Sequence, residues 1–233
     1  AFSEEARLVL EEFFQLKSGL LLLTGPAGSG KTTTIYAGLR HLAEQGGKHI
    51  ITVEDPVEQI VKGVMQTEIN EARGLTFAKA ARHLMRQDPE VLVIGEVRDD
   101  ETAQIAVRAA LTGHLVISTL HAGTCQGVLE RLMLMCPDNY AVLSSLTLVA
   151  NQRLVRRLCK SCEGKGCEDC LETGYKERTP LLEWAALDDE VRERIRKNGA
   201  AELKPTKSMR EFAEELVKLK VTDKAELDRT FGS

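Results

Sequence analysis

The run Gly25-Pro26-Ala27-Gly28-Ser29-Gly30-Lys31-Thr32 constrains this chain more than any other stretch. It follows the apolar Leu20-Leu21-Leu22-Leu23 and leads into a helix-like segment from Thr33 to Leu39. It fits the phosphate-cradle pattern G-x-x-x-x-G-K-[ST] without a mismatch. Glycines at 25, 28 and 30 let the backbone wrap closely, so successive N–H groups and the positive end of the following helix point at one anion. Lys31 adds a point charge for the outer phosphates, and the Thr32 hydroxyl suits Mg²⁺. A strand-turn-helix corner that merely needs glycines explains neither the Lys-Thr pair nor its place at the helix start. The stretch from Gly25 to Thr33 is therefore expected to bind a nucleotide.

The rest of the chain reads as an alternation of strands and helices. A helical period over Glu4 to Leu16 predicts an amphipathic helix before the first strand. Ile50 to Val53 reads as a second strand, closed by Glu54-Asp55-Pro56, and Ile60 to Ile69 alternates as strands do. A helix opens at Gly74-Leu75-Thr76 and runs to about Arg86. Val91 to Ile94 has the short, wholly apolar character of a strand buried on both faces. A helix over Glu101 to Leu111 and a strand over His114 to Thr119 continue the pattern, which implies an α/β fold with a mostly parallel sheet. Past Thr124 the pattern turns helical, through Val128 to Met135 and Tyr140 to Val149. The stretch from Leu187 to Leu227 reads as a small helical appendage, with a capping box at Ser208-x-x-Glu211. The division expected is 1–150 for the main core, 151–180 for a cysteine-bearing element and 181–233 for the helical subdomain.

Three strand ends after the phosphate loop carry polar groups suited to chemistry. Glu54 and Asp55 end the second strand, Glu96 follows Val91 to Ile94, and His121 follows the strand that His114 begins. Phosphoryl transfer to water needs a metal, a group that orients or deprotonates the water and a sensor of the terminal phosphate. With Lys31, these residues are the catalytic candidates, and either Glu54 or Glu96 could be the general base. Cys159-x-x-Cys162 and Cys167-x-x-Cys170, separated by Glu163-Gly164-Lys165-Gly166, can bring four thiolates around one structural Zn²⁺. Cys125 and Cys136 read as small core residues.

Composition narrows the setting. A chain of 233 residues can build a core without disulfides, and a formal net charge of -4 provides no overall basic field. Nucleic acid is not expected as a partner. No apolar run approaches a membrane span, and no leader or lipidation signal is visible, so a cytoplasmic protein without direct membrane insertion is expected. The start at Ala1, without an initiator methionine, suggests a fragment of a longer protein.

The chain resembles the secretion ATPases of type II secretion and type IV pilus assembly. The resemblance lies in Gly25 to Thr32, in Ile51-Thr52-Val53-Glu54-Asp55-Pro56-Val57-Glu58, in Arg86-Gln87-Asp88-Pro89-Glu90 leading to Gly95-Glu96-Val97-Arg98-Asp99, and in Thr112 to His121. These look like the family's Walker A, aspartate box, Walker B and histidine box, in that order, and Asn151 to Cys159 extends the match. The resemblance implies a RecA-like P-loop NTPase core with a zinc-binding hairpin. It also implies ATP and ADP as ligands, Mg²⁺ held by Thr32 and through water by Glu96, and His121 as the γ-phosphate sensor. Arg73, Arg82, Arg86 and Arg98 become candidates for charge-stabilising or intersubunit arginines. A homo-hexamer, inner-membrane platform proteins as partners and an N-terminal domain not seen here are further implications. The tetracysteine element resembles that of the family's assembly members, which its pilus retraction motors generally lack. Two alternatives stand beside this: a DNA-directed conjugation or uptake ATPase, with Arg153 to Arg157 on phosphate, and a nucleotide-gated scaffold with a zinc docking module.

Overall fold

Side chains on a strand alternate between two faces, so the four leucines at 20 to 23 require cover on both sides of whatever sheet they enter. The computed structural model, which describes residues 2–232, supplies that cover with helices on both faces of a seven-stranded sheet. The strands in chain order are β1 (Gly19–Thr24), β2 (Ile50–Glu54), β3 (Val64–Glu68), β4 (Val91–Ile94), β5 (Leu115–Thr119), β6 (Leu146–Leu158) and β7 (Tyr175–Ala186). The helices are α1 (Glu4–Gln15), α2 (Lys31–Gln45), α3 (Phe77–Leu84), α4 (Asp100–Leu111), α5 (Cys125–Met135), α6 (Asn139–Ser145), α7 (Asp189–Asn198), α8 (Met209–Lys218) and α9 (Lys224–Phe231).

The spatial order is β3-β2-β4-β5-β1-β6-β7, parallel throughout except for the antiparallel β6–β7 pair. Leu20, Leu22, Ile51, Val53, Leu92 and Ile94 face one apolar layer, closed by α3 to α7. Leu21, Leu23, Ile50, Val91 and Val93 face the other, closed by α1, α2, α8 and α9. Because β1, β2, β4 and β5 run in the same direction, their C-terminal ends meet at one edge, where ligands bind in parallel sheets.

Three sequence readings change in detail. The helix expected over Tyr140 to Val149 stops at Ser145, and Leu146 to Val149 instead begin β6, where Leu146, Leu148 and Val149 pair with Leu20, Leu21 and Leu22 of β1 across a one-residue irregularity at Thr147. A short apolar run reads equally as buried helix or buried strand, and the free ladder edge of β1 decides the matter. Only Val64–Glu68 of the stretch from Ile60 to Ile69 forms a strand, and Ile60 itself is exposed. The divisions drawn after residues 150 and 180 fall inside β6 and β7, so the sheet continues across both lines. The appendage likewise shares the sheet's core: Leu187, Ile195 and Leu203 join one layer, and Met209, Phe212, Ala213 and Leu227 the other.

Its helices start as the sequence predicts. Ser208 and Glu211 form the capping box of α8, and Glu190 pairs with Arg194 along α7. The last helix is held by Glu226, whose side chain is fully buried. Its carboxylate accepts from the Arg156 backbone N–H at 2.8 Å and guanidinium at 2.7 Å, and from the Arg229 guanidinium at 2.6 Å. Burial alone would push this carboxyl up, but the hydrogen bonds from Arg229 and Arg156 outweigh it and hold it down at about 2.

A carboxyl depressed on folding stabilises the fold above its unfolded pKa and stops doing so as pH falls through the folded one. The clamp should thus act in full above about pH 5, and weaken as pH falls from about 4.5 towards 2. Glu226→Gln should lower stability at pH 7 by about 3 kcal/mol and flatten the loss between pH 5 and 2, measured by urea unfolding across pH.

Candidate active site

Most helices of this chain begin on a side-chain cap: Thr76, Asp99, Thr124, Asp138 and Asp188 each accept a backbone N–H of the first turn. Helix α2 does not. Its N-cap is Gly30 in the left-handed region, φ 87°, with no side-chain hydrogen bond, so the first N–H groups of α2 stay open to an anion. The loop that delivers them lies flush against β6. A Cβ on Gly25, φ 138°, would sit 2.2 Å from the Gln152 carbonyl oxygen, so no other residue fits there without moving the strand. The Gln152 side chain completes the brace: its amide donates to the Ser29 carbonyl at 2.8 Å, and its oxygen accepts from the Thr34 hydroxyl at 2.8 Å.

Pro26, Ala27, Gly28, Thr32 and Thr33 are exposed along this rim, whereas Ser29 is buried and its hydroxyl has no partner among the described residues. A buried hydroxyl left open beside uncapped helical N–H groups fits a phosphate oxygen. Lys31 reaches back to the loop, donating to the carbonyls of Gly25 at 2.8 Å and Pro26 at 3.1 Å. Burial pushes its ammonium pKa down, and the nearby Glu96 carboxylate partly offsets the fall.

The parallel strand ends bring the remaining candidates to the same place. A cavity of about 200 Å³ is lined by Lys31, Thr32, Glu54, Asp55, Glu96 and His121, among others. Glu96 accepts from Arg98 Nε at 2.8 Å on one oxygen and lies 3.0 Å from His121 Nε2 on the other. Arg98 also reaches Asp55 at 3.3 Å and lies over the Phe77 ring, and the hydrogen bond to Glu96 is the main cause that raises its pKa. Three hydroxyl contacts keep the strand ends in step. Thr24 accepts from the Ala122 N–H and donates to its carbonyl, Ser118 donates to Ile94, and Thr119 donates to Gly95.

Glu54 is buried behind this rim, and its carboxylate accepts from the Tyr36 and Thr52 hydroxyls and, at 3.0 Å, from the Gln66 amide. His114 stays apart, its ring 2.9 Å from the Ala109 carbonyl at the turn before β5. Arg82 pairs with Glu101 on the surface. Sequence reasoning did not single out Gln152, Tyr36 or Thr52 as functional. The nearest signals were the match running on through Asn151-Gln152-Arg153 and the position of Tyr36, one helical turn beyond Lys31-Thr32.

The second cluster lies at the tip of the β6–β7 hairpin. Sγ atoms of Cys159 and Cys167 are 3.9 Å apart, those of Cys162 and Cys170 3.8 Å and those of Cys167 and Cys170 3.8 Å, with all four inside 4.8 Å. Four sulfurs at about 2.3 Å from a tetrahedral Zn²⁺ lie roughly 3.8 Å from one another, so the set fits that ion. Burial pushes the Cys170 thiol up, but N–H donors of Cys167 and Gly174, each at 3.3 Å, and the neighbouring thiols outweigh it and bring it to about 7. Cys125 and Cys136 are buried in the core, where burial pushes their thiols up to about 12 and about 11.

The chain is similar to known proteins along most of its length. The family described as "Type II/IV secretion system protein" matches residues 1–229. Type II secretion system protein HxcR of Pseudomonas aeruginosa is 45% identical over 201 residues, covering 83% of this chain and 42% of that protein. Type II secretion system ATPase E of Vibrio cholerae is 43% identical over 202 residues, covering 76% of this chain and 40% of that protein. Among solved structures, the pilus retraction motor PilT with bound ADP superposes with a TM-score of 0.81 at 31% identity, covering 97% of this chain and 64% of that one. The chain thus spans about two-fifths of the length of the curated relatives it matches.

Proposed function

The chain belongs to the type II/IV secretion system protein family, and from that premise we propose that it is the Mg²⁺-dependent ATP-hydrolysing motor of a type II secretion or type IV pilus assembly machine. The observation that carries the proposal is the convergence, at one sheet edge, of an uncapped α2 N-terminus with Lys31, Thr32, Glu54, Glu96 and His121. An uncapped helix with a lysine accounts for phosphate binding alone, whereas two acids and a histidine facing the same cavity are what hydrolysis adds.

In this reading the N–H groups from Gly25 to Thr33 hold the phosphates, and Lys31 leaves the Gly25 and Pro26 carbonyls for the terminal phosphate. Mg²⁺, when bound, neutralises phosphate charge; the Thr32 hydroxyl and, through water, Glu96 would hold it. His121, 3.0 Å from Glu96, senses the γ-phosphate, and Glu54 orients the attacking water. Arg98, bonded to both Glu96 and Asp55, is the best placed of the candidate arginines to respond to charge at this site. The nucleoside would rest in the neighbouring cavity of about 760 Å³, lined by Thr33, Thr34 and Gln152 and by Arg156 stacked 3.9 Å over Tyr175. The cysteine hairpin would hold one structural Zn²⁺, which is the basis for assigning the chain to assembly or secretion rather than retraction.

The movement that hydrolysis drives would act through a homo-hexamer on inner-membrane platform proteins, with the motor cytoplasmic and peripheral to that membrane. No helix among the described residues is long and apolar enough to cross a membrane. The core would act as the motor, with the cysteine hairpin and the C-terminal helices as parts joined to it.

Glu54→Gln and Glu96→Gln should each leave nucleotide affinity within a few fold of wild type and lower kcat by at least about 100-fold. Isothermal titration and Mg-ATP turnover check this, and full turnover in either variant removes that residue from the machinery. Metal analysis of freshly purified protein should find about one zinc per chain, lost on Cys162→Ser. Far less than one zinc in the wild type would remove that ion from the account.

A further inference from the structure

Glu54 and Glu226 are both buried, and they are satisfied in opposite ways. Two guanidinium groups neutralise Glu226. Among the described residues, only neutral donors reach Glu54: the Tyr36 hydroxyl on one oxygen, and the Thr52 hydroxyl and Gln66 amide on the other. A buried carboxylate without a cation is unfavourable, so an acid that served only the fold would more economically meet an arginine, as Glu226 does.

The three donors come from three elements, and each is itself fixed. Thr52 on β2 is the register partner of Gln66 on β3, so their side chains share a face. The Gln66 amide also donates to the Gln59 carbonyl at 2.9 Å, while its oxygen accepts the Val61 N–H at 2.7 Å. The Tyr36 hydroxyl accepts from the Glu58 and Gln59 N–H groups at 3.0 and 3.2 Å. A carboxylate offers about four acceptor positions, and three are filled here. The cage therefore sets the rotamer and leaves one acceptor position open, beside the cavity that Lys31, Thr32 and Glu96 line.

We propose that Tyr36, Thr52 and Gln66 are positioning residues that aim the Glu54 carboxylate at the attacking water. This rests on the reading of Glu54 as the water-orienting acid. Tyr36 stands on α2, the helix that carries Lys31 and Thr32, so the cage links the phosphate loop directly to the water-handling group. A carboxylate aimed this way acts in the transition state more than on bound nucleotide, and losing one donor should lower kcat without raising KM.

Steady-state Mg-ATP hydrolysis by the protein at its full natural length provides the test. Thr52→Val removes the hydroxyl while keeping the side-chain shape, and Thr52→Ser keeps the donor. Thr52→Val should lower kcat roughly tenfold, the size expected for one hydrogen bond to a charged group, with KM for Mg-ATP within twofold of wild type. Thr52→Ser should restore kcat to within twofold of wild type. Tyr36→Phe should follow Thr52→Val, and serves in its place if that variant fails to fold.

A kcat within twofold of wild type in Thr52→Val, or an equal loss in Thr52→Ser, overturns the inference. Glu54→Gln, run alongside, tells the two levels apart. Inactive Glu54→Gln beside unimpaired Thr52→Val overturns the cage alone, whereas fully active Glu54→Gln overturns both the cage and the role of Glu54.

Discussion

The site depends on a close approach between two stretches of backbone. The α-carbon of Gly25 lies against the Gln152 carbonyl with no room for a Cβ, and the Gln152 side chain then bonds to Ser29 and Thr34 on either side of Gly30 and Lys31. Through these contacts β6 fixes the curvature of the phosphate loop. That curvature leaves the first turn of α2 uncapped, while other helices of the chain carry side-chain caps. The phosphate-binding capacity of the loop thus rests on a strand whose later residues run straight into Cys159 and the sulfur cluster. One continuous element connects the braced glycine loop to the sulfur cluster.

Parallel strands supply the second constraint. Because β1, β2, β4 and β5 share a direction, their ends place four unrelated segments of sequence side by side, and hydroxyls of Thr24, Ser118 and Thr119 hold those ends in step. The polar groups at that edge are organised by charge. Glu96, Arg98, Asp55 and His121 form a connected, partly exposed network. Glu54 sits behind them in a cage of neutral donors that does not depend on it.

The strand-end acids and the histidine were legible in the sequence because each follows a short apolar run, and a parallel sheet turns that pattern into proximity. Lys31 and Thr32 were legible from glycine spacing, and the sulfur cluster from paired C-x-x-C spacing. The start of β6 was not, since Leu146 to Val149 carry the apolar character of either a buried helix or a buried strand, and only the vacant edge of β1 distinguishes them. Gln152, Tyr36 and Thr52 were hidden for a related reason. A glutamine on a strand, a tyrosine on a helix and a threonine between isoleucine and valine have no local signature of function. Their roles come from partners 123, 18 and 2 residues away that only the folded sheet assembles.

The central claim is that the phosphate loop and the strand-end groups form one hydrolytic site. A crystal structure with Mg²⁺ and a non-hydrolysable ATP analogue tests it most directly. The account predicts the terminal phosphate within hydrogen-bonding distance of Lys31 Nζ, the lysine released from the Gly25 and Pro26 carbonyls, and a water between that phosphate and Glu54. Nucleotide bound elsewhere, with Lys31 still on those two carbonyls, would contradict it.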